Sequence, residues 1–387
     1  MQVPVARQIR ERGYRLIISD GNQECACASL ADELVTCDTF DVPAHLRAVE
    51  RLRTQWDIRA VMTAAADCHG TVVEVARGLG LHGIDPAISK TCRLKHLTRK
   101  ALSDAGVPQP AFRAVKTLDE AAEFLRGLAW KGVVKATDNS GSRGFSLIQS
   151  EDDLNAAAFE HARASGTTGL VLVEALLEPV EDEIAEQSVE TVWVDGQMRW
   201  LNWVDRLFRK DFQRFEVIRD NPLYVDVGWG VEIGHINPAV HDAGVTQQVR
   251  ELMERAGRAI GMGAQRGGHI LKGDIMLTKE GPRLLEVTPR LSGGWDSSCT
   301  TPARGANFIG GVIALALNEP LTTDAWNQYF AYQNDALYAS ILTYIASGAQ
   351  DNIGRMFALG TAFSREDSLR ASLENLLEKR YVIPMEQ

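Results

Sequence analysis

Positive charge is in deficit: 41 Lys and Arg stand against 51 Asp and Glu, a formal net charge of -10. A partner held through a phosphate backbone needs a basic surface to displace counterions, which argues against nucleic acid while leaving local nucleotide binding open. The cysteines are few and scattered, six in all: Cys25, Cys27, Cys37, Cys68, Cys92 and Cys299. They form no CxxC pair and no His/Cys spacing suited to zinc, so they read as reduced thiols of a cytoplasmic protein. The longest apolar run, Phe308 to Leu317, falls short of the roughly 20 residues that span a bilayer, and the N-terminus has no apolar signal core. A soluble chain with no membrane partner is expected.

What is present is ordinary globular composition, 45% hydrophobic and 24% charged over 387 residues, enough for two or three closely packed lobes. From the start to about residue 90, strand-like runs at Leu16 to Ser19, Glu33 to Thr36 and Ala60 to Thr63 alternate with amphipathic stretches such as Val5 to Arg12 and Ala44 to Arg53. This is a βαβ succession and predicts an open parallel sheet. Its usual first strand is missing: either the start is clipped or the sheet lacks that strand. Beyond it the sequence predicts helix Lys95 to Ala105, strands Gly132 to Ala136, Phe145 to Gln149 and Leu170 to Val173, a Trp-rich strand region from Val189 to Val204, a helix from Val245 to Ile260, two strands, and a helix near Asn307 to Leu317. Residues from about 321 are expected to form a small C-terminal unit. The GxGxxG match at Gly78 to Gly83 follows a helix-like run and opens no helix, so it reads as a helix-terminating turn.

The segments Lys272 to Thr278 and Pro282 to Thr288 flank Lys279-Glu280-Gly281. A three-residue loop ending in glycine predicts a hairpin with Thr278 opposite Pro282, Met276 opposite Leu284 and Asp274 opposite Glu286. Alternation then puts Asp274, Glu286 and Thr288 on one face. Two carboxylates across a strand pair repel, and a divalent cation between them removes the conflict. Two acids in a hairpin are by default solvated charges, but Arg290 follows on the same face, and Ser292-Gly293-Gly294 leaves room for a ligand. Oxygen ligands of this kind suit Mg2+ or Mn2+, and magnesium's habit of keeping phosphates among its ligands points to ATP.

Lys135 stands inside the apolar strand Gly132 to Ala136, just before Thr137-Asp138-Asn139-Ser140-Gly141-Ser142-Arg143-Gly144. A lysine there needs an anionic partner, and such a loop turns backbone N–H groups onto phosphate oxygens. The spacing is not that of a Walker A loop. Lys95 opens a regular helix and by itself reads as a surface charge. Glu174 ends a buried strand, either near a bound adenine or as a plain strand-ending charge. Glu186, Ser188 and Glu190 share a face, where a carboxylate could accept ribose hydroxyls, although the acids from Glu178 to Glu183 leave that choice open. Trp193, Trp200, Trp203, Trp229 and Trp295 either line a substrate pocket or pack a core.

In this order, from near Gln2 to about Pro320, the motifs resemble the ATP-grasp superfamily, of the carboxylate-amine ligase kind that includes biotin carboxylase and carbamoyl phosphate synthase. The resemblance implies an α/β and α+β protein: an open parallel α/β domain over 1–90, a two-lobed ATP-grasp domain over 91–320 (small lobe about 95–175, large lobe about 176–320) and the C-terminal unit over 321–387. It implies that Lys95 and Lys135 contact ATP phosphates, that Ser140, Gly141, Ser142 and Gly144 close over them, that Glu174 lies at the adenine and Glu186 at the ribose. Asp274 and Glu286 would hold the metal, with Thr288 where the family usually has asparagine, and Arg290 would hold the acyl phosphate or the substrate. The implied reaction is ADP-forming: a small-molecule carboxylate becomes an acyl phosphate that an amine attacks, in an enzyme of a family where homodimers are common. The alternatives are a bicarbonate-activating enzyme of the carboxylase type, favoured by Ala358 to Thr361 and the helix-like Arg365 to Leu377, and an ATP-binding module without turnover.

Overall fold

The computed structural model describes residues 2–139, 143–181, 184–208, 232–293, 296–341, 343–346, 353–356 and 359–362. Helix α1 (Gln2–Glu11) precedes a parallel pair, β1 (Ile17–Asp20) and β2 (Glu33–Thr36), followed by α2 (Val42–Leu52) and α3 (His69–Leu79). The stretch from Ala60 to Thr63, expected as a third strand, belongs to no ladder. Instead its continuation is used from outside, Ala64 O accepting from Leu291 N at 3.0 Å. At the GxGxxG match, α3 stops with Gly80 at φ 69° while Leu81 N bonds back to Ala76 O, the left-handed helix stop that glycine accommodates.

Helices α4 (Pro86–Arg93) and α5 (Lys95–Asp104) lead to a four-stranded antiparallel sheet in the order β3, β6, β4, β5, built from β3 (Phe112–Val115), β4 (Gly132–Ala136), β5 (Phe145–Ile148) and β6 (Val171–Ala175). Helices α6 (Leu118–Gly127) and α7 (Ala156–Ala164) cover one face through Val134, Val171, Val173, Leu125 and Phe159. A capping box at Thr117 and Glu120 starts α6, satisfying two otherwise orphaned helix amides.

The larger sheet has seven strands in the order β11, β10, β7, β8, β9, β12, β15. They are β7 (Glu186–Val194), β8 (Gln197–Phe208), β9 (Glu232–Asn237), β10 (Gly268–Thr278), β11 (Gly281–Thr288), β12 (Leu337–Ile341) and β15 (Leu359–Ala362), with β13 (Thr343–Ala346) and β14 (Ile353–Met356) pairing apart. Helix α8 (Ala243–Ala259) lies against one face, where Val249, Leu252, Met253 and Ala256 meet Trp193, Trp203, Leu271, Ile275 and Leu284. Here α8 comes so close that a methyl on Gly257 would sit 2.1 Å from the Trp193 ring.

The opposite face is divided. At one end Val192, Ile270 and Leu201 pack under α9 (Phe308–Ala316) and α10 (Thr323–Tyr329). Further along the same strands the side chains become Glu190 and Lys272, two residues on, and Asn202, next to Leu201, and the face turns polar. The C-terminal stretch, expected as a unit of its own, is tied into this sheet: β12 pairs with β9, and Phe330 joins the core beneath α9.

Candidate active site

Asp274 and Glu286 are register partners, but the hairpin reaches that pairing by another route than expected. Thr278 pairs with Gly281, so the turn is Lys279-Glu280 alone, and Met276 faces Arg283 rather than Leu284. A bulge that leaves Leu285 unpaired then restores Asp274 to Glu286. Gly281 supplies the left-handed residue, φ 100°, from within the ladder. The carbonyls at the bulge are satisfied from another element: Arg99 on α5 donates to Leu284 O at 2.9 Å and Leu285 O at 2.8 Å. Ladder groups released by a bulge need such partners.

Repulsion between the two acids is relieved by protein cations, which corrects the expectation that only a metal ion could relieve it. Asp274 receives Lys272 Nζ at 2.5 Å and Arg206 at 3.3 Å; Glu286 receives Lys95 Nζ at 3.0 Å. Burial pushes both carboxyls up, but Arg206 and Lys272 bring Asp274, and Lys95 brings Glu286, below the ordinary range. Both stay ionised and available as ligands.

The donor set fits magnesium. Two carboxylates face one another, and Thr288, beside them, has a buried Oγ1 with no hydrogen-bond partner among the described residues. Among those residues no group of three or more His, Cys, Asp or Glu could hold a metal. Two carboxylates and a hydroxyl leave coordination positions for waters and phosphate oxygens, as magnesium prefers.

Lys95 connects this face to the small lobe. Its Nζ, besides reaching Glu286, donates to Asn139 O at 2.8 Å, immediately before the loop of which Ser140, Gly141 and Ser142 lie outside the described residues. Gly144 closes that loop at φ 72°, and a methyl there would lie 2.5 Å from Ser165 Cβ. Lys135 pairs with Glu174 at 2.7 Å, and Glu174 also takes Arg99 at 2.5 Å. Burial raises Glu174, yet Arg99 and Lys135 outweigh it and hold the carboxyl at about 2. The Glu174 carboxylate is thus committed to two cations. Glu186 opens β7 opposite Met276, at the edge of the acid-bearing face.

Arg290 lies apart from these groups: its Nε meets Asp67 Oδ1 at 2.6 Å and its NH1 donates to Leu291 O. It lines a cavity of about 100 Å³ with His69, His82 and His269, between the N-terminal segment and the large sheet. Burial lowers His69 and His269 to about 4, so both are neutral at physiological pH. Of the tryptophans, Trp193 is core and fully buried. Trp200 and Trp203 line a second cavity, and Trp229 and Trp295 lie outside the described residues.

Three residues were missed by sequence reasoning: Lys272, Arg206 and Arg99. Lys272 had a signal, since it stands two before Asp274 and therefore on the same face. Arg99 had none, because one arginine on a charged helix looks like any other.

Two lobes of sheet thus meet over a lysine-lined, acid-bearing cleft. No model of a known protein family matches the chain. It is 26% identical over 299 residues to the uncharacterized protein y4rH of Sinorhizobium fredii, covering 74% of this chain and 55% of that protein. Over 177 residues it is 27% identical to the formate-dependent phosphoribosylglycinamide formyltransferase of Stutzerimonas stutzeri, 44% of this chain and 43% of the relative. The chain thus spans about half the length of these curated relatives. The L-amino acid ligase of Bacillus licheniformis superposes with a TM-score of 0.72 at 17% identity over 97% of this chain and 93% of that one. The ADP complex of purK, N5-carboxyaminoimidazole ribonucleotide synthetase, gives a TM-score of 0.69 at 16% identity over 97% and 94%. The chain shares the fold of these solved structures. Among the described residues no helix is long and apolar enough to cross a membrane.

Proposed function

We propose that the protein is an ADP-forming carboxylate-amine ligase: it uses ATP to activate a small-molecule carboxylate as an acyl phosphate, which an amine then attacks to form an amide. The observation that carries this reading is Lys95, whose ammonium lies between the carbonyl that starts the glycine loop and the Glu286 carboxylate. It links the loop read as phosphate-binding to the acids read as metal-binding. The named relatives and structural neighbours, which include a ligase and a synthetase, support it.

ATP with magnesium, when bound, supplies the phosphoryl group and the divalent charge. The chain's own residues then hold and orient. Lys95 and Lys135 bind phosphate oxygens, each turning from its present carboxylate partner, Glu174 keeping Arg99; Asp274, Glu286 and Thr288 hold the ion; Arg290 orients the acid. No protein nucleophile is needed, since phosphoryl transfer is served by positioning and charge neutralisation. Residues 1–90 and 91–320 would act as the acid-binding and ATP-grasp parts.

The test is ADP release by the full chain with ATP and magnesium over a panel of carboxylates, hydroxylamine trapping the acyl phosphate. Carboxylate-dependent ADP with a hydroxamate product is expected. Nucleotide binding with no ADP released by any carboxylate or bicarbonate would leave a binding module instead.

A further inference from the structure

A second cavity, of about 330 Å³, opens beside the first half of β8, at Trp200 to Trp203, before the stretch that pairs with β9. Its walls are aromatic. Trp200 and Trp203 meet edge to face at 6.1 Å, His241 stacks on Trp203 at 4.6 Å, and Tyr332 completes the box. At its inner end is Arg304, only 5% exposed, its guanidinium 3.6 Å above the Tyr332 ring.

The guanidinium is charged at any physiological pH, yet among the described residues no carboxylate is within ion-pair distance of it. NH1 donates to Asn237 Oδ1 at 2.7 Å, and Nε is buried without a partner. Tyr332 also bonds to the guanidinium, while Asp335 and Asp296 act on it only from beyond ion-pair distance, the Asp296 oxygens accepting from Asn202, Asn237 and Thr300. A buried cation with no carboxylate in contact and an unpartnered Nε, at the end of an apolar box, is suited to take an anion.

We propose that this cavity binds a carboxylate carried on an aromatic or apolar body, with Arg304 as anchor for the carboxylate and Trp200, Trp203 and Tyr332 as the bed for the body. Resting on the ligase reading above, it holds the far end of a substrate whose reacting group lies at the Asp274–Glu286 face. Asn202 lines the cavity and donates to Glu190 Oε2 at 3.0 Å. Glu190 is opposite Lys272, the partner of Asp274. From β8 to β10 is two strand spacings, roughly 10 Å, so the substrate class is a bifunctional molecule with a terminal carboxylate, an apolar middle and the reacting group within that distance.

Titration calorimetry on the full chain without nucleotide tests the binding, with 3-phenylpropionate, 3-phenylpropanamide and phenethylamine as probes. The carboxylate is expected to bind at least tenfold more tightly than the amide, and the amine not at all. Arg304→Gln should cost the carboxylate tenfold or more, and Trp200→Ala several-fold. Equal binding of carboxylate and amide, or no binding of either, overturns the proposal. Should Arg304→Gln melt below the assay temperature, Trp200→Ala decides, and unchanged affinity in it overturns the proposal. Failure here beside intact carboxylate-dependent ADP release leaves the ligase reading standing; carboxylate binding at Arg304 without ADP release from any acid sinks the ligase reading and keeps the pocket.

Discussion

Two ion clusters separate the small sheet from the large one in character. In the small sheet Glu174 is clamped between Arg99 and Lys135, its side chain 3% exposed and that of Arg99 2%. In the large sheet Glu286 is 31% exposed, and among the described residues only Lys95 pairs with it directly. Both are carboxylates beside lysines. The first is closed off and also holds the β11 bulge in place through Arg99; the second stands open at the cleft and can exchange a lysine for another cation. Removing one member of a fully buried pair strands its partners, whereas the Glu286–Lys95 pair, 31% and 14% exposed, is partly screened by solvent and contributes less to stability. The comparison therefore assigns a structural role to the Arg99–Glu174 pair, whose side chains are 2% and 3% exposed, and a chemical role to Glu286 and the lysines, Lys135 being 17% exposed.

The largest effect expected is in the open cluster. Glu286→Gln should lower ADP release at least a thousandfold while the melting temperature stays within about 3 °C, because a partly exposed ion pair adds little to the fold. A parallel fall in both would erase the distinction between the clusters. In the closed cluster the order reverses: Glu174→Leu leaves Arg99 and Lys135 buried without their acid and should cost on the order of 3–5 kcal/mol in urea unfolding. Wild-type stability in that variant would show the triad to be dispensable.

The same cluster predicts a response to acid. Glu174 sits at about 2 in the folded chain against an ordinary 4.5. Its contribution, on the order of 3 kcal/mol, is fully present above pH 4.5 and is lost as pH falls from there toward 2. Unfolding free energies of wild type and Glu174→Leu measured between pH 7 and pH 3 should converge, and a constant gap would contradict the assignment. Smaller again is a packing change remote from both clusters. Gly257→Ala drives a methyl into the Trp193 ring and should cost about 1–3 kcal/mol by overpacking, with ADP release altered less than by Glu286→Gln. A variant as stable as wild type would mean that α8 can shift away from the sheet.

Much of the acid-bearing face was legible because strand alternation is a local rule: Asp274, Glu286 and Thr288 share a face whatever surrounds them. The register was right at the acids and wrong at Met276. A shorter turn and a bulge at Leu285 cancelled, and the bulge depends on Arg99, which lies 186 residues earlier. Lys135 was conspicuous as a charge in an apolar strand, and an anionic partner was required of it. That the partner is Glu174 follows only once β4 and β6 lie side by side.

By itself the sequence determined most of the elements and the faces of their side chains, though not the strand expected at Ala60 to Thr63, since helix and strand periods, caps and turn glycines act over a few residues. It also determined that acids and lysines suited to phosphate and metal occur on ordered elements rather than loops alone. Only the tertiary structure decided which charges meet. Lys95 finds Glu286 and Arg99 finds Glu174 across separate elements, and a charge buried in common depends on the packing of whole lobes, which no local pattern encodes.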